Sequence, residues 1–163
     1  MEIKMKRDVI RILVGLMMLL VVVGAIVVAR NHRDSDYQYP NTESMSAKQI
    51  LNVCKISPEK LKKMSDEALA QAVAEFPLLM DVYVTSSIEE GVKGLAKESD
   101  AYAELLKRKS GKDVLIEKTK ELYESGDSET YLKACLLKDI VLHEKSFQES
   151  LTEEERAYLE SIK

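Results

Sequence analysis

Ser65-Asp-Glu-Ala-Leu-Ala-Gln-Ala-Val-Ala-Glu-Phe-Pro-Leu-Leu-Met-Asp-Val-Tyr-Val84 carries a helix start, an apolar stripe and a proline break in one run. Ser65 is a helix-capping residue, and the acids Asp66 and Glu67 suit the positive end of a helix dipole. Leu69, Ala72, Val73 and Phe76 then recur at spacings of three and four, one apolar stripe of an amphipathic helix. Pro77 ends that helix, and proline is welcome at the first position of the next. Pro77–Val84 carries one charge, Asp81. Its apolar run fits a helix or a strand. The helical flanks and Pro77 favour a short helix, and side chains apolar on most sides predict the most buried element of the domain.

Outward from this stretch the same grammar repeats. On the N-terminal side, Ser46-Ala-Lys-Gln49 is a capping box, followed by Ile50, Val53 and Cys54 on one face. Ser57-Pro58-Glu59 begins a second short helix. On the C-terminal side, Ser87-Ile-Glu-Glu90 is a further box, with Ile88, Val92, Leu95 and Ala96 inward. Gly91 and Gly94 cost this helix ~1 kcal/mol each relative to alanine, which suggests close approach by another element. Ser99-Asp100 opens a helix that carries Tyr102, Leu105 and Leu106 and closes at Ser110-Gly111. Asp113 caps the next, with Leu115, Ile116, Leu122 and Tyr123, ended by Gly126. Asp127-Ser128 starts the longest, reaching to Gln148, with Leu132, Cys135, Leu136, Ile140, His143 and Phe147 on one stripe widened by Leu137 and Val141. Thr152-Glu-Glu-Glu155 caps a terminal helix that buries Leu159 and Ile162. The expectation is an all-α domain of eight or nine short helices over residues 46–163. No period of 33–47 residues recurs, so the chain does not read as a helical repeat.

Further upstream the composition changes. Ile12–Ala29 reads Ile-Leu-Val-Gly-Leu-Met-Met-Leu-Leu-Val-Val-Val-Gly-Ala-Ile-Val-Val-Ala, eighteen residues without a charge. As a helix it would span roughly 27 Å, close to the ~30 Å hydrocarbon core of a bilayer. In lipid the backbone has no water to bond, so a single segment must be helical. Residues 1–11 form a basic stub with Lys4, Lys6, Arg7 and Arg11, whereas only Arg30 and Arg33 follow closely. The excess of basic residues before the span places the N-terminus in the cytoplasm and the domain outside. Val27-Val28-Ala29 also fits a signal-peptidase site, so the same domain could instead be secreted after cleavage near Ala29. Residues 30–45 read as a juxtamembrane linker. Asn31–Ser44 lacks any apolar period, and fourteen flexible residues would span about 20 Å.

From Asp34 onward there are 18 Lys+Arg against 26 Asp+Glu, a net charge of −8. That excludes nucleic acid as a partner and argues against a domain lying flat on an anionic membrane. The expected partners are the lipid bilayer, through Ile12 to Ala29, and an unknown protein or cell-envelope component. Cys54 and Cys135 could pair in an oxidising compartment, closing a loop of about 80 residues worth roughly 2–4 kcal/mol. Each also sits among apolar neighbours and could be a separate buried thiol.

No catalytic, cofactor-binding or metal-binding set emerges. His143-Glu144-Lys145-Ser146-Phe147 misses the zinc-protease pattern because Phe147 stands where a second imidazole is required. Cys135 lies about 12 Å along the same helix from His143, too far for a nucleophile and its base. The acid pairs Glu89-Glu90 and Glu153-Glu154-Glu155 sit at helix starts, where the dipole explains them. Gly91-Val-Lys-Gly94 has the Gly-x-x-Gly spacing of an RNA-binding loop but lacks its sheet context. Two functional readings follow. One is a membrane-tethered, non-enzymatic interaction module; the alternative is an extracytoplasmic hydrolase working through two carboxylates in a cleft.

Met64-Ser-Asp-Glu-Ala-Leu69, Phe76-Pro-Leu-Leu79, Glu90-Gly91, Glu104-Leu-Leu-Lys-Arg108 and Leu151-Thr-Glu-Glu-Glu155 together resemble a family of exported helical proteins from gut-type bacteria. The resemblance runs from about Leu51 to Leu159. Phe76 stands where that family usually has tyrosine, and Ser99-Asp100-Ala101-Tyr102 replaces its Phe-Asn-Gly-Leu. The resemblance implies a bacterial exported helical domain. It implies no mechanism and assigns no functional residue.

Overall fold

The capping residues read from the sequence start most of the helices. In the computed structural model, which describes residues 37–163, nine α-helices and one 3-10 segment follow one another without a strand among the described residues. They are α1 (Ala47–Val53), α2 (Pro58–Lys63), α3 (Asp66–Ala74), the 3-10 segment Leu79–Tyr83, α4 (Ile88–Glu98), α5 (Asp100–Leu105), α6 (Gly111–Ser125), α7 (Ser128–His143), α8 (Lys145–Gln148) and α9 (Glu153–Ser161). The basic stub, the apolar segment Ile12–Ala29 and the first part of the linker lie outside the described residues. Among the described residues no helix is long and apolar enough to cross a membrane.

The local chemistry of the caps is largely as expected. The Gln49 side-chain oxygen accepts from the Ser46 N–H at 2.9 Å. Thr152 and Glu155 form a full capping box: the Thr152 hydroxyl accepts from Glu155 N–H at 3.1 Å and the Glu155 carboxylate from Thr152 N–H at 2.8 Å. Ser57, Ser65, Ser87 and Ser99 each accept from the N–H three residues on. Asp127 accepts from both Glu129 and Thr130 N–H. Each such cap satisfies a backbone donor that would otherwise face solvent or the core unpaired.

Helix α3 is the centre of the molecule. Ala68, Leu69, Ala70, Ala72, Val73 and Ala74 are all buried, and α5 and α6 pack against it. Four alanines keep its surface thin, so its neighbours approach closely while Leu69 and Val73 supply the apolar bulk. Helices α6 and α7 form an antiparallel hairpin turned by Gly126, whose φ of 78° lies in the left-handed region that glycine enters without a Cβ clash. Tyr102 is fully buried and donates its phenol to Glu144 at 3.2 Å.

Arg108 ties three helices together. Its guanidinium donates to the carbonyls of Leu61 and Met64, both at 2.9 Å, at the end of α2. It also meets Asp66 at 2.5 Å at the start of α3, and Glu104 lies at 3.6 Å. Ser110 donates to the other oxygen of Asp66. One planar donor fork thus serves the Met64 carbonyl, the Leu61 carbonyl that also accepts from Met64 N–H, and a carboxylate.

Five features depart from the sequence expectations. Pro77 does not start a helix; the 3-10 segment begins at Leu79. That segment is not the most buried element, since only Leu79 and Val82 are buried. Helix α6 starts at Gly111 rather than at Asp113: Ser110, which with Gly111 reads as the close of the previous helix, stands at the N-cap and donates its hydroxyl to Asp66. The longest helix stops at His143 rather than Gln148. There Glu144 leaves helical geometry (ψ 117°), caps α8 and receives Tyr102. Finally, the linker is not free from Tyr37 onward. Tyr39 packs edge-on against Phe76 with ring centres 5.8 Å apart, and Tyr37 packs against Tyr39 at 4.9 Å.

Two consequences are measurable. A Cβ on Gly91 would lie 2.2 Å from the Val82 carbonyl oxygen, whereas one on Gly94 meets nothing within 4 Å. Gly91→Ala should therefore lower stability by about 1–3 kcal/mol, as overpacking does. Gly94→Ala should raise it by up to ~1 kcal/mol through helix propensity. Urea unfolding of the two variants tests this; equal shifts would contradict the close approach at Gly91. Second, burial alone would raise the Asp66 pKa, but the hydrogen bonds from Ser110 and Arg108 and the guanidinium charge leave it below the ordinary value. A depressed folded pKa gives stability that is present above the unfolded pKa and lost as pH falls through the folded one. Asp66→Asn should be destabilising at neutral pH, and its deficit against wild type should shrink as the pH falls below about 4. A deficit independent of pH would show that the carboxylate charge contributes nothing.

Candidate functional site

The 3-10 segment determines where apolar surface is left uncovered. A 3-10 helix has three residues per turn, so side chains three apart eclipse one another. Leu79 and Val82 therefore share the inward side. Met80, Tyr83 and the following Val84 are turned out: Met80 is 45% exposed, Tyr83 40% and Val84 79%. An α-helical turn would have carried Tyr83 in beside Leu79. The segment is pinned in this pose by Gly91, which brings the backbone of α4 against that of Val82.

Helix α7 lies beside it and is also rotated relative to the sequence expectation. Its buried residues are Ala134, Leu136, Leu137, Ile140 and Val141. Leu132 is 43% exposed, and Cys135 and His143 are half-buried. Met80 and Leu132 line one groove of about 280 Å³, floored by Phe76, Leu79 and Leu136. At its edge Lys133 bridges Glu75 at 3.0 Å and Glu129 at 2.9 Å. Tyr83 continues the strip toward the far end of α7 and donates its phenol to Asp139 at 2.5 Å. Burial and that hydrogen bond to a carboxylate push its pKa well above the ordinary tyrosine value, so the phenol remains a donor at any physiological pH. Tyr131, also exposed, packs against Tyr123 across the α6–α7 hairpin with ring centres 5.9 Å apart. The result is a strip of apolar and aromatic side chains with a charged rim.

Met80, Val84 and Leu132 are the residues that the sequence placed wrongly or passed over. The signal was present in part. Leu79 and Val82 are the i, i+3 pair of a short 3-10 turn, and Pro77 just before them breaks the α-helical register.

The chemistry that an enzyme would need is differently placed. Asp81 and Glu98 line a second groove of about 260 Å³ with Leu78, Val82, Val84, Thr85, Gly91, Gly94 and Leu95. Both acids are exposed to solvent. Glu75 and Glu129 likewise line the groove beside Met80 and Leu132, where both are paired with Lys133. Four carboxyls, Asp66, Glu89, Asp127 and Glu155, have lowered pKa values, and each is accounted for by a helix cap or a cation. Among the described residues no three His, Cys, Asp or Glu side chains are grouped to hold a metal ion. His143 sets its Nδ1 2.8 Å from the Asp139 carbonyl. Phe147 lies beyond the break at Glu144, buried in the core.

Cys54 and Cys135 are not bonded to each other in the structure. Cys54 is buried, and burial pushes its thiol pKa up. Cys135 is half-buried on α7, with its sulfur 3.9 Å from the Lys163 carbonyl. Alkylation of the native chain without reductant should modify Cys135 well before Cys54, and denaturant should make both react. Two thiols that stay unmodified in denaturant until reductant is added would establish a bridge instead.

Comparison with protein-family profiles, with curated proteins and with solved structures finds no match to the chain.

Proposed function

We propose that the chain is a membrane-tethered interaction module. Ile12–Ala29 holds it in the bilayer with the N-terminus in the cytoplasm, and the helical domain binds a protein partner outside through the strip formed by Met80, Tyr83, Val84 and Leu132. Cleavage near Ala29 would export the same domain with the same surface. The observation that carries this reading is an apolar segment that leaves its apolar side chains in water. Single exposed hydrophobes are ordinary on protein surfaces, but contiguous ones mark contact sites. Here Met80 and Leu132, from two elements, line one groove, and Tyr83 and Val84 follow Met80 in the chain, both exposed. Tyrosine and methionine suit such a contact, offering large area with a polar or polarisable edge.

The resemblance to exported helical proteins of gut-type bacteria is consistent with this placement and adds no activity. The test is photo-crosslinking in intact cells, with a photoreactive residue placed at Val84, at Leu132, and at Lys118 as a control. Val84 and Leu132 should give the same crosslinked species, Lys118 should not, and Val84→Glu should abolish the Leu132 crosslink. Protease added to protoplasts of the same cells should remove the domain. No crosslink from either strip position would overturn the binding surface, and a domain protected in protoplasts would overturn the orientation.

A further inference from the structure

The net charge of the domain hides a strong segregation. Ala47–Lys63 holds Lys48, Lys55, Lys60, Lys62 and Lys63 against one acid, Glu59. From Met64 onward the count is 13 Lys+Arg against 22 Asp+Glu. All five lysines are exposed, and among the described residues none of them pairs with a carboxylate. On α2 only Leu61 is buried, so Lys60, Lys62 and Lys63 fan over the solvent side of that turn. Arg108 fixes the helix from behind through the Leu61 and Met64 carbonyls, and the lysines are thus displayed from a held element.

The same face receives the chain coming from the N-terminus. The Lys60 ammonium sits 4.3 Å from the centre of the Tyr37 ring. Tyr37 and Tyr39 are packed on the core. Between Ala29 and Tyr37 only residues 30–36 remain, and seven residues reach at most about 25 Å when fully extended.

We infer that the lysine-bearing stretch Lys55–Lys63, centred on α2, is a membrane-facing surface that rests on anionic phospholipid headgroups. The inference depends on Ile12–Ala29 being a retained span. It rests on charge complementarity and on the place where the chain enters the domain, at Tyr37 beside Lys60. An ammonium attracts anionic headgroups only within about a Debye length, ~8–10 Å at physiological salt. Charge counted over the whole domain predicts repulsion from such a surface; the segregated lysines reverse the sign locally.

The test is lysine footprinting of the full chain in nanodiscs, with an amine-reactive acylating reagent read by mass spectrometry. In discs containing phosphatidylglycerol, Lys55, Lys60, Lys62 and Lys63 should acylate about threefold or more slowly than in purely phosphatidylcholine discs, with exposed Lys145 unchanged. Roughly 0.5 M salt should erase the difference. In the variant Lys55→Glu/Lys62→Glu/Lys63→Glu, protection of Lys60 should disappear while the circular dichroism and melting curve stay as in wild type. A chain that enters both kinds of disc and shows equal lysine reactivity in them would overturn the membrane-facing surface. A chain that elutes apart from the discs would overturn the tether reading itself, before any lysine is measured.

Discussion

The contact between Gly91 and the backbone of Val82 constrains more of this molecule than any single salt bridge. With no Cβ at position 91, α4 lies directly on the 3-10 segment. That segment can bury only one side, and the three-residue period selects Leu79 and Val82 for it. Everything outward then follows without further choice. Met80 reaches toward Leu132, Tyr83 toward Asp139, and Val84 stands largely in solvent. An element that composition alone would place at the centre of the domain thus becomes the main source of apolar surface.

The sequence was legible wherever the deciding interaction is local. A cap is made between residues two or three apart, so Ser46, Ser57, Ser65, Ser87, Asp127 and Thr152 announce helix starts without any knowledge of the fold. The stripe of α3 was equally plain, because a helix enclosed by α5 and α6 needs apolar residues at each inward position. The failures share the opposite property. Helix α7 stops at Glu144 because that residue serves Tyr102, 42 positions away, and α6 starts early because Ser110 is drawn to Asp66, 44 positions away. Leu132 points outward because α7 already buries Leu136, Leu137, Ile140 and Val141 on its other side. Tyr37 and Tyr39 dock because Phe76 and Lys60 offer them a surface. Periodicity in a single segment carries no information about any of these partners.

Charge behaves in the same way. A sum over the domain treats its acids and lysines as if they were mixed. The chain instead confines the lysines of α1 and α2 to one short stretch and the acidic excess to the rest, and over distances beyond ~10 Å the two are screened from one another in physiological salt. A partner that meets only one of these faces responds to the local sign. Arg108 has a part in this separation. It completes the backbone hydrogen bonding at the end of α2, so the lysine-bearing turn is held to α3 and α5 by its carbonyls and leaves its side chains free.

Rigidity is what makes an exposed strip useful for recognition rather than merely costly. Association loses free energy for every side chain and loop that must be ordered at the interface, and a surface already fixed avoids part of that loss. The strip here is fixed at several points. Pro77 restricts the chain that leads into it, Leu79 and Val82 anchor it in the core, and the Tyr83 phenol is tied to Asp139 on α7. Lys133, held between Glu75 and Glu129, keeps its ammonium at the groove's edge, where a partner's polar groups could pair with it. Had the segment been an α-helix, Tyr83 would have turned inward and the strip would have lost its middle residue. The 3-10 geometry therefore links the two levels: it satisfies the core with two side chains and leaves the others displayed and held.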